Sequence, residues 1–153
     1  MGHYRVIFEI LKSLSDDKKI RVPSKLVDLH LEGITKEEAK ERNELAAEFG
    51  FSEIIEAKET VQRGINAVLG KIQKDVDLII AINFITDQRI VQHSNLERLI
   101  GALSDKLGLG GWIIICEPVE NLETVMNSIP HGMQFIPKKQ GNFCYMLLRK
   151  IQI

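Results

Sequence analysis

Asn83, Phe84, Asp87 and Glu117 are the residues whose types and positions could do chemistry. The stretch DLIIAINFITDQ, residues 77–88, runs from continuous aliphatics into Asn83, Phe84 and Asp87. A parallel strand buried on both faces reads as such an apolar run, and its carboxyl end is where α/β sheets place ligands. There an amide and a carboxylate could orient an amine or hydroxyl, and Phe84 offers a flat face for a planar ligand. A second aliphatic run, WIIICEP, closes on Glu117 and Pro118. Neighbouring parallel strands end on the same side of a sheet, so Glu117 could face the same crevice. If Asp87 and Glu117 approach, repulsion raises one carboxyl pKa and provides a general base. The competing reading gives each residue a local task. Asn83 and Asp87 commonly organise turns through side-chain to backbone hydrogen bonds, and Glu117 could cap a helix beginning near Asn121.

The other titratable candidates are less well placed. His93 stands just before a predicted helix and His131 just before a predicted strand. Each could act as an acid or base near neutral pH, but neither has a partner at a recognised spacing. His30, on an alternating segment, reads as structural or solvent-facing, and His3 lies near a fraying terminus. Trp112 follows Gly110 and Gly111 as a packing residue at the head of a strand. Cys116 and Cys144 each sit inside an apolar run with no nearby histidine. They form neither a zinc pattern nor a disulfide framework, and read as buried thiols that approach only if their strands are neighbours. The sequence carries no nucleophile elbow, phosphate-binding loop, metal-ligand helix or dinucleotide glycine fingerprint.

The elements that must position these residues follow from periodicity. Val6, Ile7, Ile10, Leu11 and Leu14 fall at helical spacing, so residues 3–14 form an amphipathic helix. KLVDLHLEG alternates Val27, Leu29 and Leu31 with Asp28, His30 and Glu32, the period of a half-buried strand; a short helix from Ser24 fits nearly as well. Thr35 followed by Glu38 is a capping box that opens the helix KEEAKERNELAAEF, and Gly50 supplies its left-handed stop. SEIIEA offers a short strand, and KETVQRGINAVLGKI reads as a helix with Val61, Ile65, Val68 and Leu69 on one side. Strand 76–84 is followed by a helix carrying Leu96, Leu99, Ile100, Leu103 and Leu107, then by a turn at Gly108–Gly111 into WIIICEP. Two aliphatic strands around one helix make a right-handed βαβ unit with parallel pairing. A short helix at 121–128 and the strands MQFI and NFCYMLLRKI, joined by the loop PKKQGN, complete the chain.

The fold class is therefore α/β. It is a three-layer, mostly parallel sheet with an antiparallel C-terminal strand, a single domain of 153 residues with an N-terminal helix and linker over 1–25 and the core over 26–153. The composition, 44% hydrophobic and 27% charged, is that of a globular protein. No run reaches the length of a membrane helix and no signal-peptide cleavage site follows the first helix, which predicts a cytoplasmic or nuclear protein without membrane attachment. A formal charge of -1 argues against nucleic acid as a partner. Lys138, Lys139, Arg149 and Lys150 form the one basic cluster of the second half if they meet across a hairpin, either as a solvated edge or as a phosphate or acidic-partner contact.

DVDLIIAINFITDQ, the amphipathic helix after it and KLGLGGWIIICEP together resemble the passage from fourth to fifth strand of class I S-adenosylmethionine-dependent methyltransferases. FCYMLLRK is similar to that family's inserted antiparallel last strand, and LEGITKEEAKERNELAAEFGF resembles its second strand and following helix. The resemblance spans residues 26–150. It implies a Rossmann-like fold, S-adenosylmethionine as cofactor, Glu32, Thr35, Asn83 and Phe84 as cofactor contacts, and Asp87 and Glu117 as the polar groups orienting the acceptor. Two departures qualify what it implies about activity. The family's first strand ends in a glycine-rich loop that has no counterpart here. The acid that usually ends the second strand is replaced by Thr35, with Glu32 as substitute only in another register. The sequence thus predicts a methyltransferase-like domain that is degenerate or incomplete, acting in binding or assembly or needing a partner chain for methyl transfer, with a homodimer as the default assembly. Its rival is a regulatory module in which helices 3–14, 24–31 and 36–49 form a helix-turn-helix; a strand at 26–32 would remove it. A structural subunit that completes a partner's core is the third possibility.

Overall fold

The computed structural model describes residues 2–16, 25–30, 34–51, 53–58, 70, 72, 75–84 and 95–152. The described elements are helix α1 (His3–Asp16), strand β1 (Lys25–His30), helix α2 (Lys36–Phe49), strands β2 (Glu53–Lys58) and β3 (Val76–Ile82), helix α3 (Leu96–Lys106), strand β4 (Leu107–Pro118), a 3-10 turn (Val119–Asn121), helix α4 (Leu122–Met126) and strands β5 (Met133–Gln140) and β6 (Phe143–Lys150). The strands form one sheet in the order β2-β1-β3-β4-β6-β5. β2, β1, β3 and β4 pair in parallel, while β6 runs antiparallel to both β4 and β5. Among the described residues no helix is long and apolar enough to cross a membrane.

Both faces of the central strands are covered, which is why they read as unbroken apolar runs. On one face Leu26, Leu78, Ile80 and Ile114 pack under α1 and α2. On the other, Val27, Leu29, Ile79, Ile113 and Ile115 pack under α3 and α4. The stripe Tyr4, Ile7, Leu11 and Leu14 is buried along α1, and Leu99, Ile100 and Leu103 do the same for α3. α2 begins as its sequence predicts: Thr35 Oγ1 accepts the Glu38 N–H at 3.1 Å, and Glu38 returns the bond to the Thr35 N–H at 3.1 Å. It ends at Gly50, whose φ of 106° lies in the left-handed region.

Several local expectations are corrected by this arrangement. Lys25–His30 is a strand, so the helix-turn-helix alternative loses its middle helix. That strand lies between β2 and β3 and is buried on both faces, so Asp28 and His30 are interior groups and not a solvent-facing row. Gly108–Gly111 is not a turn before a strand but an irregularity inside β4, since Val76 pairs with Leu107 and Leu78 already pairs with Trp112. A Cβ on Gly111 would come within 2.9 Å of the Gly108 carbonyl oxygen and 3.2 Å of that of Val76, so this close passage requires glycine. β5 continues through Pro137 to Gln140, which leaves only Gly141 and Asn142 as the hairpin turn. An edge strand tolerates that proline because its missing N–H can face outward. The predicted helix KETVQRGINAVLGKI lies almost wholly outside the described residues.

The basic residues of the hairpin do not meet. Lys138 and Lys139 pair with Tyr145 and Cys144 near the turn, whereas Arg149 and Lys150 pair with Gln134 and Met133 at the other end. Lys150 is buried, and its Nζ donates to the carbonyls of Ser104 at 2.9 Å and Leu107 at 3.0 Å. It caps the carboxyl end of α3, where a cation is favoured. Arg149 lies over the Trp112 ring at 5.7 Å from its centroid.

Candidate functional site

The chain runs from β1 outward to β2, then returns past β1 to place β3 on its other side. This reversal makes the carboxyl ends of β1 and β3 the switch point of the sheet, the usual ligand position in an open α/β fold. Three strand ends converge there: His30 of β1, Ile82 and Asn83 of β3, and Glu117 and Pro118 of β4. The Asn83 N–H donates to the Cys116 carbonyl at 2.9 Å and ties the ends of β3 and β4 together. Asn83 is exposed and has a φ of 50°, a left-handed conformation that asparagine adopts more readily than most residues.

The predicted site residues fare differently. Asn83 stands at this switch point, directly after β3. Phe84 does not offer a face to a ligand, because it is fully buried in the core against α3 and α4. Thr35 is occupied as the cap of α2 and follows β1, so it does not end the second strand. Glu117 lies at the adjoining strand end but is buried, shares its sheet face with Cys144 and accepts from Asn121 Nδ2 at 3.3 Å. That bond joins two side chains and is not a helix cap: neither the 3-10 turn nor α4 has a side-chain cap, so the capping expected of Glu117 is corrected. Glu32, Asp87 and His93 lie outside the described residues, as does any approach of Asp87 to Glu117. His131 is exposed in the turn before β5.

The densest polar cluster is one the sequence pattern did not single out. Asp28 Oδ2 accepts from the Tyr4 hydroxyl of α1 at 2.6 Å and from Arg42 Nη1 of α2 at 2.8 Å. Arg42 Nη2 reaches Glu56 Oε1 of β2 at 2.7 Å, and its Nε and Nη2 also donate to Asn43 Oδ1. Burial pushes the Asp28 carboxyl above the ordinary range, against the opposing pull of Tyr4 and Arg42. The same burial, with the Asp28 charge added, holds the Tyr4 hydroxyl protonated. His30, the last residue of β1, lies on the same face of the strand as Asp28. Asp28 and His30 at alternate positions of a strand were the available signal. It becomes legible once that strand is known to be central, since buried polar groups there require partners.

A second cluster closes the opposite side of the same sheet face. His3 Nδ1 lies 2.9 Å from the Tyr145 hydroxyl and 3.5 Å from Cys116 Sγ, with its ring edge-on to Phe143. Burial lowers the His3 pKa, partly offset by Glu38, and raises those of Cys116 and Tyr145 to about 12 each. His3 and Tyr4 therefore pin the start of α1 to β6 and to β1 by consecutive side chains. Among the described residues no group of three or more His, Cys, Asp or Glu side chains could hold a metal ion.

No protein-family model matches the sequence, and no curated protein does. Solved structures do match. Phosphoethanolamine N-methyltransferase 2 of Haemonchus contortus, in complex with phosphomonomethylethanolamine and S-adenosylhomocysteine, has a TM-score of 0.68 at 14% identity, over 97% of this chain and 37% of that one. The putative methyltransferase yhhF of Escherichia coli gives 0.56 at 14% identity, over 96% of this chain and 87% of that one. The N-methyltransferase NodS of Bradyrhizobium japonicum with bound S-adenosylhomocysteine gives 0.57 at 11%, over 98% and 88%. This is the Rossmann-like fold of the class I S-adenosylmethionine-dependent methyltransferases.

The methyltransferase fold moves the register of the resemblance. The first strand of a doubly wound sheet is the one beside the switch point, so β1 takes that place and β2, Glu53–Lys58, is the second strand. LEGIT then follows the first strand in the sequence, with Gly33 as its single glycine. Two acids stand near the end of the second strand: Glu56, held by Arg42, and Glu59, the residue after Lys58, which lies outside the described residues. A nucleoside cofactor needs close backbone approach at the first strand and a free acid at the second. The described residues include His30 at the first position and, at the second, Glu56 paired with Arg42.

Proposed function

We propose that this chain is a methyltransferase-like domain that acts in binding or assembly and does not transfer methyl groups by itself. The observation that carries this reading is His30, a bulky imidazole at the end of the central strand, where the cofactor-binding form of the fold brings backbone against its ligand. The Arg42–Glu56 pair supports it by committing one of the two acids near the end of the second strand, the other being Glu59. A partner chain that supplies the missing loop would complete an enzyme, and Asn83 and Glu117 at adjoining strand ends would then flank the acceptor, with Asp87 beside them. The partner is a protein, either a second copy or another chain. Nucleic acid is disfavoured by the net charge and by α2, whose first turn carries Glu37 and Glu38. A cytoplasmic location accords with the composition.

Calorimetric titration with S-adenosylmethionine and S-adenosylhomocysteine tests this reading. The expected result is no binding into the millimolar range. Micromolar binding of either compound would overturn it and call for a search for methyl acceptors.

A further inference from the structure

α2 lies above the β1 and β2 pair, because Arg42 reaches Asp28 of one strand and Glu56 of the other, and those two residues stand opposite each other in register. α1 sits toward the middle of the sheet, where His3 meets Tyr145 of β6 and Tyr4 meets Asp28 of β1. Among the described residues, the outer flank of α2 is left open. A groove of about 540 Å³ runs between it and β2, with Ala39, Asn43 and Ala47 on the helix side and Phe51, Ile54 and Glu56 on the strand side. Nothing among the described residues pairs with the outer edge of β2. An unpaired strand edge is a template for another strand, and proteins usually blunt it. The opposite edge of this sheet is blunted, since β5 carries Pro137 and the exposed Lys138 and Lys139. β2 carries no proline, and its Ile54 and Ile55 are only half-buried.

The charges on α2 select the partner. Lys36, Lys40, Glu44 and Glu48 are all exposed and follow at four-residue intervals, so they form one ridge with two bases followed by two acids. An antiparallel copy of this ridge is its electrostatic complement. Lys40 then meets Glu44 of the partner subunit, Lys36 meets Glu48 of the partner subunit, and the twofold axis makes each contact twice. Ala39, Asn43 and Ala47 form the neighbouring ridge toward the groove and are small enough for close approach. The point midway between Lys40 and Glu44 is Arg42, which is bound to Glu56, so the same axis runs beside the middle of the open strand. Antiparallel pairing of β2 with its copy sets both α2 helices on one face of a continuous sheet. With strands about 4.8 Å apart and each helix above the gap between its own outer two strands, the helix axes lie about 10 Å apart, the upper end of the helix-packing range. We infer that the outer ridge of α2 and the open edge of β2 form the interface of a twofold homodimer. The inference rests on the proposed function in that the chain works through a protein partner, and it names that partner as a second copy.

The test is analytical sedimentation of the full chain over a range of concentrations at low salt, with charge-reversed variants alongside. The wild type is expected to sediment at twice the chain mass in the micromolar range. Lys40→Glu and Glu44→Lys each set like charges together twice and should weaken the dimer by about tenfold or more. Lys40→Glu combined with Glu44→Lys restores opposite charges in reversed order and should recover wild-type association. Both side chains are exposed, so the variants should keep the wild-type circular dichroism spectrum. A wild type that stays monomeric at high micromolar concentration, a dimer indifferent to the single reversals, or a double variant no better than the singles would overturn the inference. Titration with S-adenosylmethionine decides the proposed function separately. A monomer that binds none would leave that reading standing with another chain as partner, whereas a dimer that binds it tightly would overturn that reading and leave the interface in place.

Discussion

Arg42 holds Asp28 and Glu56 with two arms of one guanidinium, at 2.8 and 2.7 Å, and the two contacts differ in kind. The Arg42 and Asp28 side chains are 3% and 1% exposed, whereas Glu56 is 48% exposed. Removing one member of a buried pair leaves an uncompensated charge and costs about 3–5 kcal/mol, while an exposed partner contributes up to about 1 kcal/mol. Arg42→Met should therefore destabilise the protein by roughly 3–5 kcal/mol and Glu56→Gln by less than about 1 kcal/mol in urea unfolding. Equal losses in the two variants would mean that the buried pair is not the dominant contact.

The layer architecture and the βαβ passage were legible because their signals are local. Leu96, Leu99, Ile100 and Leu103 repeat at helical spacing, and residues 78–82 and 113–115 are continuous aliphatic runs. The capping box at Thr35 is legible for the same reason. What the sequence did not disclose was strand order. Asp28 and His30 alternate with Val27 and Leu29 as they would on a strand with one wet face, and only the placement of β1 between β2 and β3 makes them buried. The same missing information put Thr35 at the end of a second strand and left the Tyr4–Asp28–Arg42 network unseen, because its members come from three separate elements. Phe84 failed as a ligand platform for a related reason: one residue beyond Asn83, the chain turns back into the core.

A half-buried group and a fully buried one give stability opposite dependences on pH. Burial, opposed by Glu38, sets the folded pKa of His3 below 6.5, so on acidification the unfolded chain takes the proton first. Stability is then lost as pH falls from 6.5 to the folded value. Burial sets the folded pKa of Asp28 above 3.8, so here the folded chain takes the proton first, and stability rises as pH falls between the folded value and 3.8. His3→Gln should remove the loss in the higher window, and Asp28→Asn the gain in the lower one. Unfolding free energies measured from neutrality down into the carboxylate range check both. A His3→Gln curve that parallels the wild type would refute the first assignment.

The two ends of α2 are separable in the same assay. Thr35→Ala removes the cap on the Glu38 N–H and should cost about 1 kcal/mol. Gly50→Ala places a Cβ at a φ of 106° and should cost about 1–2 kcal/mol. Thr35→Ser, which keeps the hydroxyl, should recover most of the first loss. If it does not, the threonine methyl group and not the capping bond accounts for the effect.

Cys116 pairs with Tyr145 and Cys144 with Glu117 across β4 and β6, so the two sulfurs lie on opposite faces of the sheet although their strands are neighbours. Adjacent positions of a pleated pair cannot form a disulfide through the sheet, and both thiols are free and buried. His3 approaches Cys116 at 3.5 Å, a contact that would favour thiolate only with a protonated imidazole. The lowered His3 pKa keeps that ring neutral at neutral pH, and burial pushes the Cys116 thiol up to about 12. Neither cysteine should react with an aromatic disulfide reagent in the native protein, and both should react at once in denaturant. Rapid modification of Cys116 under native conditions would show that the first turn of α1, held by His3 and Tyr4, opens from the sheet far more often than these contacts allow.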